Sequence, residues 1–343
     1  MSRSLGLLVQ SGIDPAGSVA TDLAALGAVR AGDDPVGVLR VYDCAGSLVS
    51  LGRYHLVPPG RGVAVRLNRR LTGGRAVPAG DGFVGVALAL PHRAALIAPA
   101  PLALRPEQVM NRYVRGLLEG CRFGGMAAFY PGRDVLTVGR RTLALVSFEV
   151  DEHGALLFEA VVARSREFSC LAARLDAVDP DGIVPAPPPG GDDATSLARE
   201  LGREPSLEEV ADWFARGYEK ALAVTCEPVD VRPDRAFDGE RWLAERPVRA
   251  DLDRRARTPT QLGVLEAHLA LAGERIRAAR LAGDFIADSP AIARLETALE
   301  GCPATAAAVA AVVDEVFAIP RHFILGVGPV RVVADTIARA IPT

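Results

Sequence analysis

Residues 68–77 read Asn-Arg-Arg-Leu-Thr-Gly-Gly-Arg-Ala-Val, with Arg70 three positions ahead of Gly73 and Gly74. Glycine has no Cβ, so its backbone can approach a ligand closely and adopts positive φ at little cost. A guanidinium offers planar, permanently charged donors that match phosphate or carboxylate. The segment therefore has the chemistry to hold an acidic group, with Arg70 on the anion and the backbone of Gly73, Gly74, Arg75, Ala76, Val77 and Pro78 as a cradle. The same residues also describe a plain hairpin connector in an arginine-rich chain. The apolar run at 83–90, FVGVALAL, predicts a buried strand, so the turn leads into a sheet.

Other reactive side chains are sparse. The five cysteines fall without CxxC or CxxH spacing, which suggests neither a zinc site nor a disulfide framework. Cys170, in Glu-Phe-Ser-Cys, has no histidine beside it and reads first as a small half-buried thiol. His153 stands at the start of an expected strand, where an imidazole can titrate near neutral pH and orient a substrate. His55 and His268 read as turn caps or sheet-surface residues, and His92 and His322 carry no signal. The single lysine, Lys220, reads as a solvated helix residue.

These residues must be positioned by a mixed α/β core, since strand-like and helix-like segments alternate without an internal repeat. Ser206 and Glu209 have the spacing of a capping box, which predicts a helix over 208–222. Residues 179–193 contain Pro-Ala-Pro-Pro-Pro-Gly-Gly and predict a loop. A rise in Asp, Pro and Arg between 228 and 240 marks a boundary between units spanning 1–228 and 240–343. In the second unit, 262–271 and 275–286 predict a hairpin around Ala272-Gly273-Glu274, followed by helices near 291–300 and 304–317. The mixed charges at 251–257 read as a solvated helical face.

At 343 residues the chain can bury two cores, and a net charge of −3 gives no general attraction for nucleic acid. No apolar run approaches the roughly 20 residues of a membrane span. The N-terminal residues lack the small-residue cleavage site of a secretion signal, so a cytoplasmic location with reduced thiols is expected.

The segment 68–77 resembles the RRxxGGGAV motif of the lipoate–protein ligase family. Further segments resemble that family in the same order. Residues 18–22 resemble its opening helix, 49–55 its strand and Gly-Arg turn, and 133–141 the strand pair before its catalytic lysine. Residues 153–157 resemble its HGxLL strand, and 263–269 with 276–286 the two strands of its accessory domain. The resemblance spans nearly the whole chain. It implies an α+β fold of the biotin/lipoate ligase kind, a mixed sheet flanked by helices, with a small C-terminal α+β accessory domain. It also implies use of ATP with Mg to activate lipoate or octanoate as an acyl-adenylate, and transfer to a lysine of a lipoyl-carrier domain or related acyl-carrier protein.

By the same resemblance, Arg53, Asp134 and His153 belong to the substrate pocket, and Arg141 occupies the place of the catalytic lysine. The sequence departs from the family there, and twice more. Arg75 replaces the third glycine, and Pro78-Ala79-Gly80 replaces a His-Asp pair. Arg141 can neutralise an anion, but a guanidinium stays protonated and serves as neither acid nor base. Two accounts remain open. Arg70, Arg75 and Arg141 surround an α-phosphate and the chain is a ligase, or the site binds an acyl group or nucleotide without activating it. ATP-independent octanoyl or lipoyl transfer through Cys170 is a further alternative.

Overall fold

Helix starts are set locally in this chain. Asp14 accepts hydrogen bonds from the amides of Ala16 (3.0 Å) and Gly17 (3.3 Å), and Pro15 fills a first-turn position that needs no N–H. The capping box closes at the predicted place: Glu209 N–H donates to Ser206 Oγ at 3.2 Å, and Ser206 N–H to Glu209 Oε2 at 2.9 Å.

The computed structural model describes residues 3–31, 35–59, 65–185, 193–233 and 237–342. In chain order the first elements are β1 (Arg3–Ile13), α1 (Pro15–Ala31), β2 (Gly37–Cys44), β3 (Ser47–Leu51), β4 (Arg66–Arg69), β5 (Val77–Gly80) and β6 (Phe83–Leu90). Next come α2 (Pro106–Phe123), β7 (Ala128–Phe129), β8 (Val135–Val138), β9 (Arg141–Val150), β10 (Leu156–Ala163) and α3 (Leu171–Val178). They are followed by α4 (Leu197–Leu201), α5 (Leu207–Leu222), β11 (Val224–Pro228) and α6 (Gly239–Leu243). The last group is β12 (Arg254–Pro259), β13 (Val264–Ala272), β14 (Arg275–Gly283), β15 (Ile286–Ala287), α7 (Ser289–Leu299), α8 (Ala306–Phe317), β16 (Ile324–Leu325) and α9 (Arg331–Arg339). Of the 179–193 loop, residues 186–192 lie outside the described residues.

Eight strands form one sheet in the order β11-β1-β2-β6-β10-β9-β8-β7, parallel around β1 and antiparallel from β2 onward. One face packs Leu39, Val86, Leu88, Phe148 and Phe158 into a core with Tyr113 of α2 and Phe214 of α5. The opposite face takes α1 and the three-stranded sheet β4-β3-β5. On this second face the register aligns Arg40 with Ala87, Ala87 with Glu159, and Glu159 with Ser147. A charged and hydroxylic row thus crosses four strands, with a small residue in the middle.

The second unit stacks β12-β13-β14 on α7, α8 and α9 around Leu265, Leu269, Ile276, Ile292 and Val313. The hairpin and the helices at α7 and α8 follow the sequence expectation. Residues 251–257 do not form a helix; 254–259 are an edge strand, whose alternation of exposed and half-buried residues has the strand period. Helix α6 rides on the first unit, with Leu243 buried among Val49, Leu51 and Ala76.

Candidate functional site

The arginines of the turn point inward. Arg70 is 7% exposed and makes four hydrogen bonds: Nε to Thr72 Oγ1 (3.1 Å), Nη1 to the Ser50 carbonyl (3.1 Å), and Nη2 to the carbonyls of Gly73 (2.6 Å) and Arg75 (2.7 Å). A guanidinium has five N–H donors, so most of this one is spent on holding the turn. Arg69 is used in the same way, donating to the carbonyls of Arg53 (2.7 Å), His55 (2.8 Å) and Leu243 (3.1 Å). Arg75 grips Asp134 with two bonds, Nε to Oδ2 at 2.6 Å and Nη2 to Oδ1 at 3.2 Å.

The glycines serve approach and dihedral. Gly74 has φ +82°, and its amide donates to the carbonyl of Phe285 at 2.7 Å. A Cβ on Gly73 would lie 2.4 Å from that same carbonyl oxygen. The turn is therefore docked on the second unit. Tyr54 stacks on Phe285 with centroids 4.6 Å apart, and its hydroxyl donates to the Ala287 carbonyl at 3.1 Å. Glu149 accepts from Ser289 N–H at 2.7 Å, and its burial raises its pKa to about 8.

Behind the turn the slot face holds two small voids. One, about 20 Å³, lies between Arg70, Arg75, Asp134, Ser147 and Glu159. The other, about 40 Å³, is bounded by Asp22, Tyr42, Asn68, Arg70, Phe83 and Glu159. Its far wall is a buried ion pair, Arg40 Nη1 to Asp22 Oδ1 at 2.7 Å, with the Arg40 guanidinium 3.8 Å above the Tyr42 ring. Gly85 lies beneath that ring, and a Cβ there would sit 2.3 Å from it. Glu159 lines both voids, and its pKa is pushed up to about 7, first by burial and then by the charge of Asp22. Thr72, Arg70 and Arg40 offset this only in part.

With this geometry in hand, solved structures supply a comparison. P. falciparum LipL1 in complex with lipoate superposes with a TM-score of 0.67 at 12% identity, over 98% of this chain and 99% of that one. Lipoate-protein ligase A bound with ATP gives 0.51 at 17% identity over 71% and 93%. Protein Ta0514 of T. acidophilum gives 0.53 at 17% identity over 71% and 99%. The fold is that of the lipoate–protein ligases. No protein-family model matches the chain, and neither does any curated protein.

Within this lipoate–protein ligase fold the residues singled out from sequence separate into two sets. Arg70, Arg75, Val77 and Asp134 come together around the smaller void, with Ala76 and Pro78 buried nearby, while Gly73 faces Phe285 and Gly74 packs against Arg70 and Ser147. Arg53 is next to the turn. Its guanidinium lies over the Trp242 ring at 5.1 Å and makes no hydrogen bond to another described residue.

Arg141 and His153 stay outside. The β8–β9 ladder pairs Leu136 with Ala144 but Thr137 with Thr142, so Leu143 is an extra residue. Such a bulge shifts the alternation by one and turns Arg141 to the helix-bearing face. There its Nη2 donates to Glu200 at 2.7 Å. His153 sits in the β9–β10 turn, more than half exposed and 3.4 Å from Glu152. Lys220 pairs with Glu119 between α5 and α2 at 2.8 Å, on the opposite side of the sheet. Cys170 is half-buried against the core cluster of Val77, Phe83, Ala163, Phe168 and Ala194, and burial raises its thiol rather than activating it. Cys44, in the wall of the larger void, is raised to about 11 for the same reason.

Glu159 and the Asp22–Arg40 pair were not singled out from the sequence. Their signal is a charge inside an apolar strand, as in Leu-Leu-Phe-Glu-Ala-Val-Val and Val-Leu-Arg-Val, which a buried strand tolerates only with a partner or a purpose. Among the described residues, no group of three or more His, Cys, Asp or Glu side chains is placed to hold a metal ion, and no helix is long and apolar enough to cross a membrane.

Proposed function

We propose that this chain is a lipoate–protein ligase-like protein that binds lipoate or a similar acyl group between α1, β2, β10 and the 68–77 turn. The observation that carries this reading is the slot itself. It lies behind a turn that resembles the family's, in a fold that a lipoate-bound structure matches over 98% of this chain. In its full form the reading has the acyl group activated by ATP with Mg as an acyl-adenylate and passed to a lysine of a lipoyl-carrier domain. A cytoplasmic location suits that role.

A specific observation favours a second reading. Nucleotide phosphates do not fit donors that are already engaged: Arg70 holds three carbonyls, Arg75 holds Asp134, and the Gly74 amide holds Phe285. No lysine or Arg141 guanidinium stands beside them. In this second reading the chain holds an acyl group or acylated carrier without activating it.

Pyrophosphate release separates the two. Release from ATP in the presence of lipoate or octanoate supports the ligase. Silence in that assay with calorimetric binding of the acid supports the binding protein, and failure of any acyl acid to bind overturns both.

A further inference from the structure

A slot for a fatty tail should be lined by hydrocarbon throughout, and this one, walled in large part by Val19, Leu48, Phe83 and Val161, also holds a buried carboxyl group. Glu159 reaches it from the centre of β10, is 7% exposed, and leaves Oε2 without a hydrogen-bond partner among the described residues. Glu159 lines both adjoining voids. The guanidinium groups nearby do not satisfy it. Arg70 spends its donors on the turn, and Arg40 donates to Asp22 and Gln10 and to Ser18, two strands away from Glu159.

An unpaired carboxyl oxygen in a buried slot is an acceptor awaiting a donor, and leaving it unmet costs more than the bond itself returns. Further polar residues, Ser18, Asp22, Tyr42, Ser50 and Asn68, line the larger void among its apolar ones. That void has room for roughly three water-sized groups, enough for a polar chain end.

We propose that the slot takes an acyl acid whose chain carries a hydrogen-bond donor at its far end, such as an ammonium or amide N–H, and that Glu159 is the residue that selects it. This rests on the acyl-binding reading above and narrows its substrate class. An ammonium group would give Glu159 a counter-ion, and its burial-raised pKa would fall as the pair forms.

The test compares matched ligands on the unmodified protein by calorimetry: octanoate and lipoate against 8-aminooctanoate. Tighter binding of 8-aminooctanoate by about tenfold or more is expected, the range of one charge-assisted hydrogen bond. Glu159→Gln should reduce that preference, and Glu159→Leu should reverse it in favour of octanoate. Equal or tighter binding of octanoate and lipoate by the unmodified protein overturns this inference and leaves the acyl-binding reading standing. Failure of all three acids to bind overturns the acyl-binding reading, and this one with it. The first comparison needs no variant, so a folding defect in either substitution does not blunt it.

Discussion

His55 Nε2 lies 3.0 Å from Asp284 Oδ1, joining residues 229 positions apart in a pair with no solvent exposure on either side chain. The imidazole orientation follows from its other nitrogen, Nδ1, which accepts the Gly52 amide at 2.9 Å. Nε2 therefore carries the hydrogen and donates to Asp284, while Asp284 Oδ2 accepts from Val264 N–H at 2.9 Å. One carboxylate thus fastens the Gly52–His55 turn of the first unit to the hairpin of the second.

Asp284→Ala leaves two buried donors unpaired, at about 1–3 kcal/mol each. We expect a loss of stability of about 2–5 kcal/mol in denaturant unfolding, with a second, earlier transition if the two units separate. An unchanged midpoint would show that the pair contributes nothing.

Arg70 is expected to matter for folding as well as for ligand. Arg70→Ala frees the buried carbonyls of Ser50, Gly73 and Arg75, and should cost about 2–4 kcal/mol. Arg70→Lys keeps the charge but cannot span three carbonyls at these angles, and should recover less than half of that loss. Thermal unfolding of both variants without ligand checks this. Full recovery by lysine would mean that charge alone is required.

Stability should depend on Glu149 in a defined direction. Its folded pKa, about 8, lies above its ordinary 4.5, so between those values the native state holds a proton that the unfolded chain has released. Stability therefore falls as pH rises through that window. Glu149→Gln should flatten the fall, leaving the part between 4.5 and about 7 that belongs to Glu159. Unfolding free energies measured from pH 4.5 to 8.5 decide the point, and an unaltered slope in the variant would overturn the assignment.

The glycine pair should report on docking between the units. A methyl at Gly73 meets the Phe285 carbonyl, whereas at Gly74 the nearest atoms are 3.4 Å away and the cost is the left-handed backbone. Gly73→Ala is expected to speed amide exchange across 283–287 more than Gly74→Ala does. The reverse order would place the contact elsewhere.

The Asp22–Arg40 pair offers the complementary test. Arg40→Leu alone strands a buried carboxylate and should cost about 3–5 kcal/mol, while Arg40→Leu with Asp22→Leu should recover much of it. A double variant no better than the single one would mean that Arg40 acts through its bonds to Ser18 and Gln10 instead.

The sequence by itself determined many of the elements and their punctuation, though not the edge strand at 254–259. The Ser206 cap, the run at 83–90 and the hairpin around Gly273 stand where their local signals put them, because caps, periodicity and turn dihedrals involve residues a few positions apart. The glycine pair and the arginines beside it were also legible as a turn with charged donors, whereas the Arg75–Asp134 contact was not. Only the tertiary structure decided what those groups do. A single extra residue at Leu143 turns Arg141 off the slot face, and no local preference announces a bulge that depends on the partner strand. The guanidinium donors face carbonyls of Ser50 and Leu243, and Glu159 meets Asp22 and Arg70, through chain folding that joins distant segments. Residue type states which bonds a side chain can make; packing decides which of them are already taken.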